Sequence, residues 1–247
     1  MDALTQVFDE RLQEIDAYLD LLDALDRQVK SGTPPAIGGS LITVKQQRIL
    51  YSAVYLQLYN LVEATVTWCV DAMCDAAATG GAWAAADLSQ ELRREWVRLA
   101  AKTYENLNED NRLTHTADAL EHVIRGDRVT WPVDSARKGN WDDDEISALS
   151  AKLGCDLRLS PAVYSGIKRP IRDDKGPLRL IRDLRNRLAH GSLSFEECGT
   201  DITVTELRDT KNRTVDYLKE VVAAYGAHID EYRFLIPAKR PVPEAAS

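Results

Sequence analysis

The sequence predicts an all-α protein whose core is formed by a few long helices. Over long stretches its apolar residues recur at spacings of three and four, which is the periodicity of a helix that buries one face. Glycines and prolines fall between these stretches, where they mark helix ends. The chain has 247 residues, of which 45% are hydrophobic, so it is long and apolar enough to bury a core as one large domain or two small ones.

The first two predicted helices are the longest. The first covers residues 4–29, and the Gly-Thr-Pro-Pro segment at 32–35 ends it. The second covers residues 44–78, and two glycines at 80–81 stop it.

A polar stripe interrupts the apolar pattern of the second helix. It is formed by Asn60, Glu63 and Thr67, which lie at i, i+3 and i+7. One interpretation is that the stripe faces solvent or that its polar groups satisfy each other. The other is that Glu63 pairs with Arg185 or a neighbouring basic group and sets its orientation.

Two shorter helices are predicted next, at residues 89–107 and 116–124. After them, residues 125–175 are rich in glycine, proline and aspartate. The predicted helices before and after this region belong to one helical pattern. We therefore interpret residues 125–175 as a small insertion in a single domain that covers residues 1–237.

The insertion is predicted to contain one short helix and two short strands. Asp142 and Glu145 have the spacing of a capping box that opens the helix, and Gly154 closes it. The strands are predicted at residues 129–131 and 156–159. The acidic run that begins at Asp142 could suggest a cation site, but consecutive side chains in a helix point in divergent directions. Stabilisation of the helix N-terminus is the simpler explanation of these carboxylates.

Two further helices complete the prediction. Gly176-Pro177 begins a helix of about 14 residues that Gly191 ends, because proline tolerates the first helical position and glycine the position after the last. Thr203 and Glu206 form a capping box for the last helix, whose apolar residues form the seam of a bundle or of a dimer interface. The proline-containing tail at 238–247 is predicted to be disordered.

Composition and motifs exclude several classes of protein. The chain has no run of about 18 apolar residues and no signal peptide at its start, so we expect a cytoplasmic protein without a membrane partner. The four cysteines lack C-x-x-C spacing and are predicted to be free thiols. There is no phosphate-binding glycine loop, nucleophile-elbow serine or zinc-binding helix motif, and we expect neither a metal nor a cofactor.

Charge is distributed unevenly along the chain. The net charge of -8 argues against wholesale nucleic-acid binding, yet residues 168–187 contain eight basic and three acidic residues. This basic run is either a solvated face with ion pairs or a surface for the RNA backbone, and we favour the second. The predicted RNA-binding residues are Lys168, Arg169, Arg172, Lys175, Arg179, Arg182 and Arg187.

The most informative motif lies at the end of the helix that Gly191 closes. Arg185, Asn186 and His190 place a guanidinium, an amide and an imidazole within six residues, a set of groups suited to a phosphate. Asn186 and His190 share a helix face, whereas Arg185 lies about 140° around the helix from His190. Either a second copy of the helix or bending of the Arg185 side chain is needed to bring all three groups to one point.

This motif resembles the signature of the HEPN superfamily, in which an arginine and a polar residue precede a histidine. The segment Leu58 to Ala64 resembles the helix that carries an acidic residue in the same branch. The segment from Gly139-Asn140-Trp141 to Gly154 resembles the insertion of stand-alone, toxin-like HEPN proteins from bacterial defence and toxin-antitoxin loci. The resemblance covers about residues 45–235.

The resemblance implies an antiparallel helical bundle and a metal-independent endoribonuclease that acts as a homodimer. In that interpretation His190 performs acid-base catalysis, Arg185 stabilises charge in the transition state, Asn186 positions the phosphate or base, and Glu63 orients the arginine. RNA is the substrate, and an antitoxin or an ATPase is a further partner that the resemblance suggests.

A non-catalytic alternative stays open, because some HEPN domains bind nucleotides or RNA, or serve as scaffolds for another defence component. The presence of both Arg185 and His190 favours the enzyme. One departure concerns regulation. Where the branch that is silenced by tyrosine modification has a tyrosine two residues after the histidine, this chain has Ser192.

Overall fold

The computed structural model describes residues 2–79, 83–131 and 139–241. Within these ranges the chain forms nine α-helices and one two-stranded hairpin, which confirms the predicted all-α class. In chain order the helices are α1 (Asp2–Lys30), α2 (Val44–Thr79), α3 (Gln90–Ala100), α4 (Glu109–Arg125), α5 (Asp143–Lys152), α6 (Pro161–Lys168), α7 (Pro177–Ala189), α8 (Phe195–Cys198) and α9 (Val204–Asp230). None of the described helices has both the length and the apolar composition that crossing a membrane requires.

The chain divides into two compact units. The first contains Met1–Thr65, Gly139–Asp143 and Leu159–Glu220, and the second contains Val66–Lys138, Asp144–Arg158 and Val221–Ser247. Helices α1, α6, α7 and α8 belong to the first unit, α3 and α4 belong to the second, and α2 and α9 contribute residues to both. One domain with an insertion at 125–175 stays a prediction.

The apolar faces of α1, α2 and α7 form the core of the first unit. Leu180, Leu184 and Leu188 of α7, which the sequence assigns to the core, are at most 8% exposed. The turn into α7 is tight, because a Cβ atom at Gly176 would lie 2.2 Å from the carbonyl oxygen of Ile167. Glycine at this position therefore allows the end of α6 to approach the start of α7.

The seam predicted on α9 is buried within a single chain. Val215, Leu218, Val222 and Tyr225 are at most 8% exposed. Of the two interpretations of this seam, the core of the protein is therefore the one that the structure supports.

Two predicted helices have other bounds in the structure, and two further helices were not predicted. α3 ends at Ala100, well before residue 107, and α4 begins at Glu109 because the Asn108 side chain accepts a hydrogen bond from the N–H of Asn111 at 2.8 Å. α6 and α8 are short helices that the sequence analysis missed. α2 ends at Thr79, and its predicted stop at 80–81 lies outside the described residues.

The predicted strands are wrong. Residues 129–131 and 156–159 form no strand, and near the first of them only Arg128 makes an isolated bridge, with Ala84. The hairpin lies instead at β1 (Ala36–Ile37) and β2 (Ser40–Leu41), which pair antiparallel.

The start of the predicted disordered tail is also ordered. Pro237–Lys239 forms a 3-10 turn, and Lys239 pairs with Asp87 at 3.1 Å. Just before this turn, the N–H of Ile236 donates to the carbonyl of Asp87 at 2.9 Å. Residues 242–247 of that tail lie outside the described residues.

Candidate functional site

The end of α7 fixes the position of His190. Gly191 adopts a left-handed conformation with a φ of 68°. The N–H of Ser192 donates to the carbonyl of Arg187 at 3.0 Å, and the N–H of Gly191 donates to the carbonyl of Leu188 at 3.2 Å. This pair of bonds is a Schellman motif, which ends a helix. His190 is therefore the C-cap residue directly after α7, next to the glycine stop that the sequence predicts, and it is exposed.

Three groups hold the guanidinium of Arg185. Its central carbon lies 3.7 Å from the centroid of the Tyr59 ring, Nη1 donates to Oδ1 of Asn186 at 2.9 Å, and Nη2 lies 3.9 Å from Oε2 of Glu63. The face of an aromatic ring attracts a cation, and the two polar partners set the rotation of the guanidinium plane. The Arg185 side chain is 26% exposed, so it is oriented but still accessible.

A loop from Gly139 to Asp143 closes against this arginine. Nδ2 of Asn186 donates to Oδ1 of Asn140 at 2.6 Å, and the hydroxyl of Tyr59 accepts the backbone N–H of Asn140 at 2.5 Å. A Cβ atom at Gly139 would lie 3.0 Å from Oε1 of Glu63. The loop therefore touches each of the groups that orient Arg185.

Two buried carboxylates anchor the same loop. Asp142 is 2% exposed and pairs with Arg182, and Asp143 is 8% exposed and pairs with Lys168 at 2.5 Å. The acidic run predicts a helix N-terminus at these carboxylates, and α5 does begin at Asp143. Because a buried charge is costly without its partner, both pairs hold the loop to its surroundings.

Other members of the predicted RNA-binding set are paired within the chain. Arg172 lies 3.1 Å from Glu206, Lys175 lies 2.7 Å from Asp183, and Arg169 lies 4.0 Å from Asp209. These pairs match the first of the two interpretations of the basic run, a solvated face with ion pairs. Arg179 and Arg187 are exposed on α7. RNA contact by the basic run stays a prediction.

The structure brings together three of the four predicted catalytic residues. Arg185, Asn186 and Glu63 are in contact, as the pairing proposed for Glu63 requires. His190 stands apart, and in the described part of the chain its side chain makes no hydrogen bond or ion pair. The separation of Arg185 from His190 around α7 agrees with this arrangement.

Sequence reasoning missed two residues of the site. Tyr59 lies one helical turn before Glu63, and Asn140 lies in the segment that resembles the HEPN insertion, so the sequence analysis had noted both segments without assigning either residue. The spacing of Tyr59 and Glu63 is the signal that was present, because residues at i and i+4 share a helix face.

Histidine, cysteine and carboxylate side chains do not gather into a possible metal site anywhere in residues 2–79, 83–131 or 139–241. The four cysteines are free, as predicted. Burial raises the pKa of the Cys69 thiol to about 12, so this thiol is protonated and unreactive.

Comparison with known proteins identifies a family for this chain. The model of the MAE_28990-like HEPN family matches residues 1–234. No curated protein and no solved structure matches the chain. The matched region contains every residue of the site described above, and since it spans nearly the whole sequence, the protein belongs to the MAE_28990-like HEPN family.

Proposed function

We propose that this protein is a metal-independent endoribonuclease, a toxin or phage-defence effector that cleaves RNA through attack by the 2'-hydroxyl. Membership of the HEPN family supports a nuclease, another RNA-related role or a nucleotide-binding role. The observation that carries the finer proposal is the orientation of Arg185. A structural ion pair does not need a guanidinium that lies over a ring, is bonded to an amide and is still partly accessible. A phosphate-binding group needs such an oriented and accessible guanidinium.

RNA supplies its own nucleophile in this reaction. The 2'-hydroxyl oxygen bonds to phosphorus as its proton leaves to a base, the bond from phosphorus to the 5'-oxygen breaks, and that oxygen takes a proton from an acid. The products are a 2',3'-cyclic phosphate and a 5'-hydroxyl. His190 is the acid-base group, and Arg185 stabilises the extra negative charge on the phosphorane oxygens.

Asn186 and Glu63 act mainly through Arg185. The amide oxygen of Asn186 accepts a hydrogen bond from Arg185, and one amide N–H donates to Asn140. The second amide N–H is left for the phosphate or base. Glu63 orients the guanidinium. We assign Tyr59 the same orienting role, because its ring lies against the guanidinium.

The proposed enzyme is a homodimer, because one α7 holds Arg185 in a contact network and leaves His190 outside it. In a two-fold dimer, a site that lies at the interface takes groups from both chains. An antitoxin or an ATPase is a further proposed partner, and neither is needed for the chemistry above.

RNA backbone contact is assigned to the basic run, with Arg179 and Arg187 as its exposed members on α7. Contacts to phosphates release counterions, so RNA affinity is expected to fall steeply with salt concentration. Arg182 and Lys168 serve the loop in the free protein through their pairs with Asp142 and Asp143.

The decisive experiment is RNA cleavage in excess EDTA. Wild-type protein is expected to cleave RNA, leave a 2',3'-cyclic phosphate or its 3'-phosphate product, and spare DNA of the same sequence, because DNA lacks the nucleophile. His190→Ala and Arg185→Ala should each abolish cleavage while the circular dichroism spectrum is unchanged. His115→Ala and Arg125→Ala, both on α4, are the matched controls and should cleave normally.

Three results would count against the nuclease. These are cleavage that requires a divalent metal, cleavage that survives in His190→Ala, and equal cleavage of DNA. If the folded wild-type protein binds RNA or a nucleotide without cleaving RNA, the non-catalytic binding or scaffold module replaces the enzyme as the function of the chain.

A further inference from the structure

The second unit contains a cavity that the proposed nuclease does not use. Its volume is about 630 Å³, within the range of small-molecule sites. The lining comes from the start of α3, from the end of α5 with the residues after it, and from the end of α9 with the segment that follows. All of these residues belong to one compact unit.

A buried histidine lines this cavity without a hydrogen-bond partner. His228 is 3% exposed, and its Nε2 atom is enclosed and unpartnered. Burial, together with the nearby Arg233 and Arg240, lowers the pKa of His228 to about 4, so the ring is neutral at physiological pH. Buried polar atoms almost always have a partner, and a neutral imidazole offers one donor and one acceptor. The ring of His228 therefore adds a neutral wall to the cavity, and its Nε2 atom stays unsatisfied beneath the cavity surface.

Arg240 brings an uncompensated positive charge to the same cavity. Its Nε donates to the carbonyl of Leu235 at 3.1 Å and its Nη2 to the carbonyl of Arg233 at 3.5 Å, so backbone oxygens fix the guanidinium. Arg233 pairs with Glu231 and Arg158 pairs with Asp156, whereas Arg240 has no carboxylate partner within the described ranges.

The N-terminus of α3 adds to the positive potential. Ser89 and Glu91 at the start of this 11-residue helix line the cavity. The first N–H groups of a helix have no intrahelical acceptor and carry partial positive charge, which favours an anion. Glu91 and Asp156 also line the cavity, and their carboxylates can accept hydrogen bonds from hydroxyl groups.

We propose that this cavity binds a small organic phosphate that also carries hydroxyl groups, with the phosphate beside Arg240, His228 and the start of α3. A guanidinium matches a phosphate in shape and charge. The hydroxyl groups lie beside Glu91 and Asp156. Sugar phosphates and nucleotides belong to this class of ligand.

Calorimetry on the full chain tests this proposal with ribose 5-phosphate, inorganic phosphate and ribose in a chloride buffer. Ribose 5-phosphate is expected to bind with a dissociation constant of about 1 mM or tighter, inorganic phosphate more weakly, and ribose not at all. Arg240→Gln should weaken binding of ribose 5-phosphate at least about tenfold, because it removes a charge-assisted contact. Arg125→Gln, an exposed arginine on α4, is the matched control and should leave affinity unchanged.

A second variant and a second measurement guard against misfolding, since Arg240 also bonds to the backbone. Arg158 is 81% exposed, and Arg158→Gln should fold normally and weaken binding about threefold. In NMR titrations, ribose 5-phosphate should raise the pKa of His228 because the anion offsets the two nearby arginines. No binding by ribose 5-phosphate, equal binding by ribose, unchanged affinity in Arg240→Gln, or the same loss in Arg125→Gln would overturn the proposal.

Discussion

The guanidinium of Arg185 depends on Tyr59 more directly than on any charged neighbour. The ring lies at 3.7 Å, whereas the carboxylate of Glu63 is 3.9 Å away at the long limit of an ion pair and is 43% exposed. Water screens a pair as exposed as this one, but it cannot enter between a stacked guanidinium and a ring. The aromatic contact is therefore the stronger restraint on the arginine.

Tyr59→Leu is expected to lower kcat about 10- to 30-fold with little change in KM, since a cation–π contact at a partly desolvated site contributes roughly 1.5–2 kcal/mol. Tyr59→Phe keeps the ring and should retain activity within about threefold, although it leaves the N–H of Asn140 without an acceptor. Steady-state kinetics on RNA separates the two variants, and circular dichroism checks their fold. Equal rates in wild type and a folded Tyr59→Leu would remove Tyr59 from the site.

The sequence predicted the contact between Glu63 and Arg185 but not the role of Tyr59 or Asn140. Glu63 is a charged residue within a polar stripe on an otherwise apolar helix, so it calls for a basic partner. Tyr59 is an aromatic residue at a buried position, which sequence alone interprets as core. Asn140 becomes a site residue only because the loop that carries it packs against α7, and local sequence does not encode that packing.

The buried His228 is expected to make stability depend on pH. Its pKa is about 4 in the folded protein, against 6.5 as its ordinary value, because burial disfavours the charged ring. Between pH 6.5 and 4 the unfolded chain takes up a proton that the folded chain does not. The free energy of unfolding that the neutral His228 contributes is therefore fully present above pH 6.5. It decreases by roughly 3 kcal/mol as the pH falls toward 4.

Urea denaturation at pH 7.5, 6 and 5 in a buffer without phosphate measures this loss. His228→Gln should flatten the dependence of unfolding free energy on pH, whereas His115→Gln should leave its slope as in wild type. The hydrogen bond from the N–H of Ala84 lowers the pKa of Asp87 below its ordinary 3.8. The stability that Asp87 contributes is therefore lost only below the pH range of this experiment, and it does not affect the measured slope. An unchanged slope in His228→Gln would contradict the assignment.

At the scale of elements, the loop from Gly139 to Asp143 decides whether the site is assembled. It touches Glu63 and Tyr59 on α2 and Asn186 on α7, so its position sets the surroundings of Arg185. The pair between Asp142 and Arg182 fixes the loop at its other end. Arg182 therefore affects the site even if it never touches RNA.

Asp142→Ala is expected to destabilise the fold by about 3 kcal/mol, because it removes the buried partner of Arg182 and leaves this partly buried arginine with only its longer contact to Asp183. Glu121→Ala removes the exposed pair with Arg125 and should cost less than about 1 kcal/mol. Chemical denaturation gives both free energies. Activity of Asp142→Ala, assayed where it is still folded, should also fall as the loop leaves α7. A cost no larger than that of Glu121→Ala would show that the loop has other anchors.

Helix length explains which elements the sequence predicted. α1, α2, α7 and α9 each contain three or more turns of apolar periodicity, and the predicted ranges agree with the structure. α8 has four residues and α6 has eight, so neither offers enough turns for a period to appear, although Ser194 and Ser160 cap them. The predicted strands were wrong because short apolar runs beside turns fit a strand or an irregular segment equally well.

At the scale of the whole molecule, the geometry of α7 argues for two chains per active site. Arg185 is held against α2, and His190 is exposed at the helix end. The two residues lie about 140° apart around the axis of α7, and rotation of the helix as a whole cannot change that angle. Leu180, Leu184 and Leu188 also hold the helix in place by burying its apolar side. A second α7 related by a two-fold axis would place the His190 of one chain near the Arg185 of the other.

Complementation between two inactive variants tests this arrangement. If each site takes Arg185 from one chain and His190 from the other, a heterodimer of Arg185→Ala with His190→Ala has one site that lacks both residues and one that is intact. Half of the dimers in an equal mixture are heterodimers, so mixing should restore about a quarter of wild-type activity after subunit exchange. Light scattering measures the dimer, and a mixture of His190→Ala with itself is the control. A protein that is active as a monomer, or a dimeric mixture that stays inactive although exchange is shown by mass spectrometry, would place the whole site within one chain.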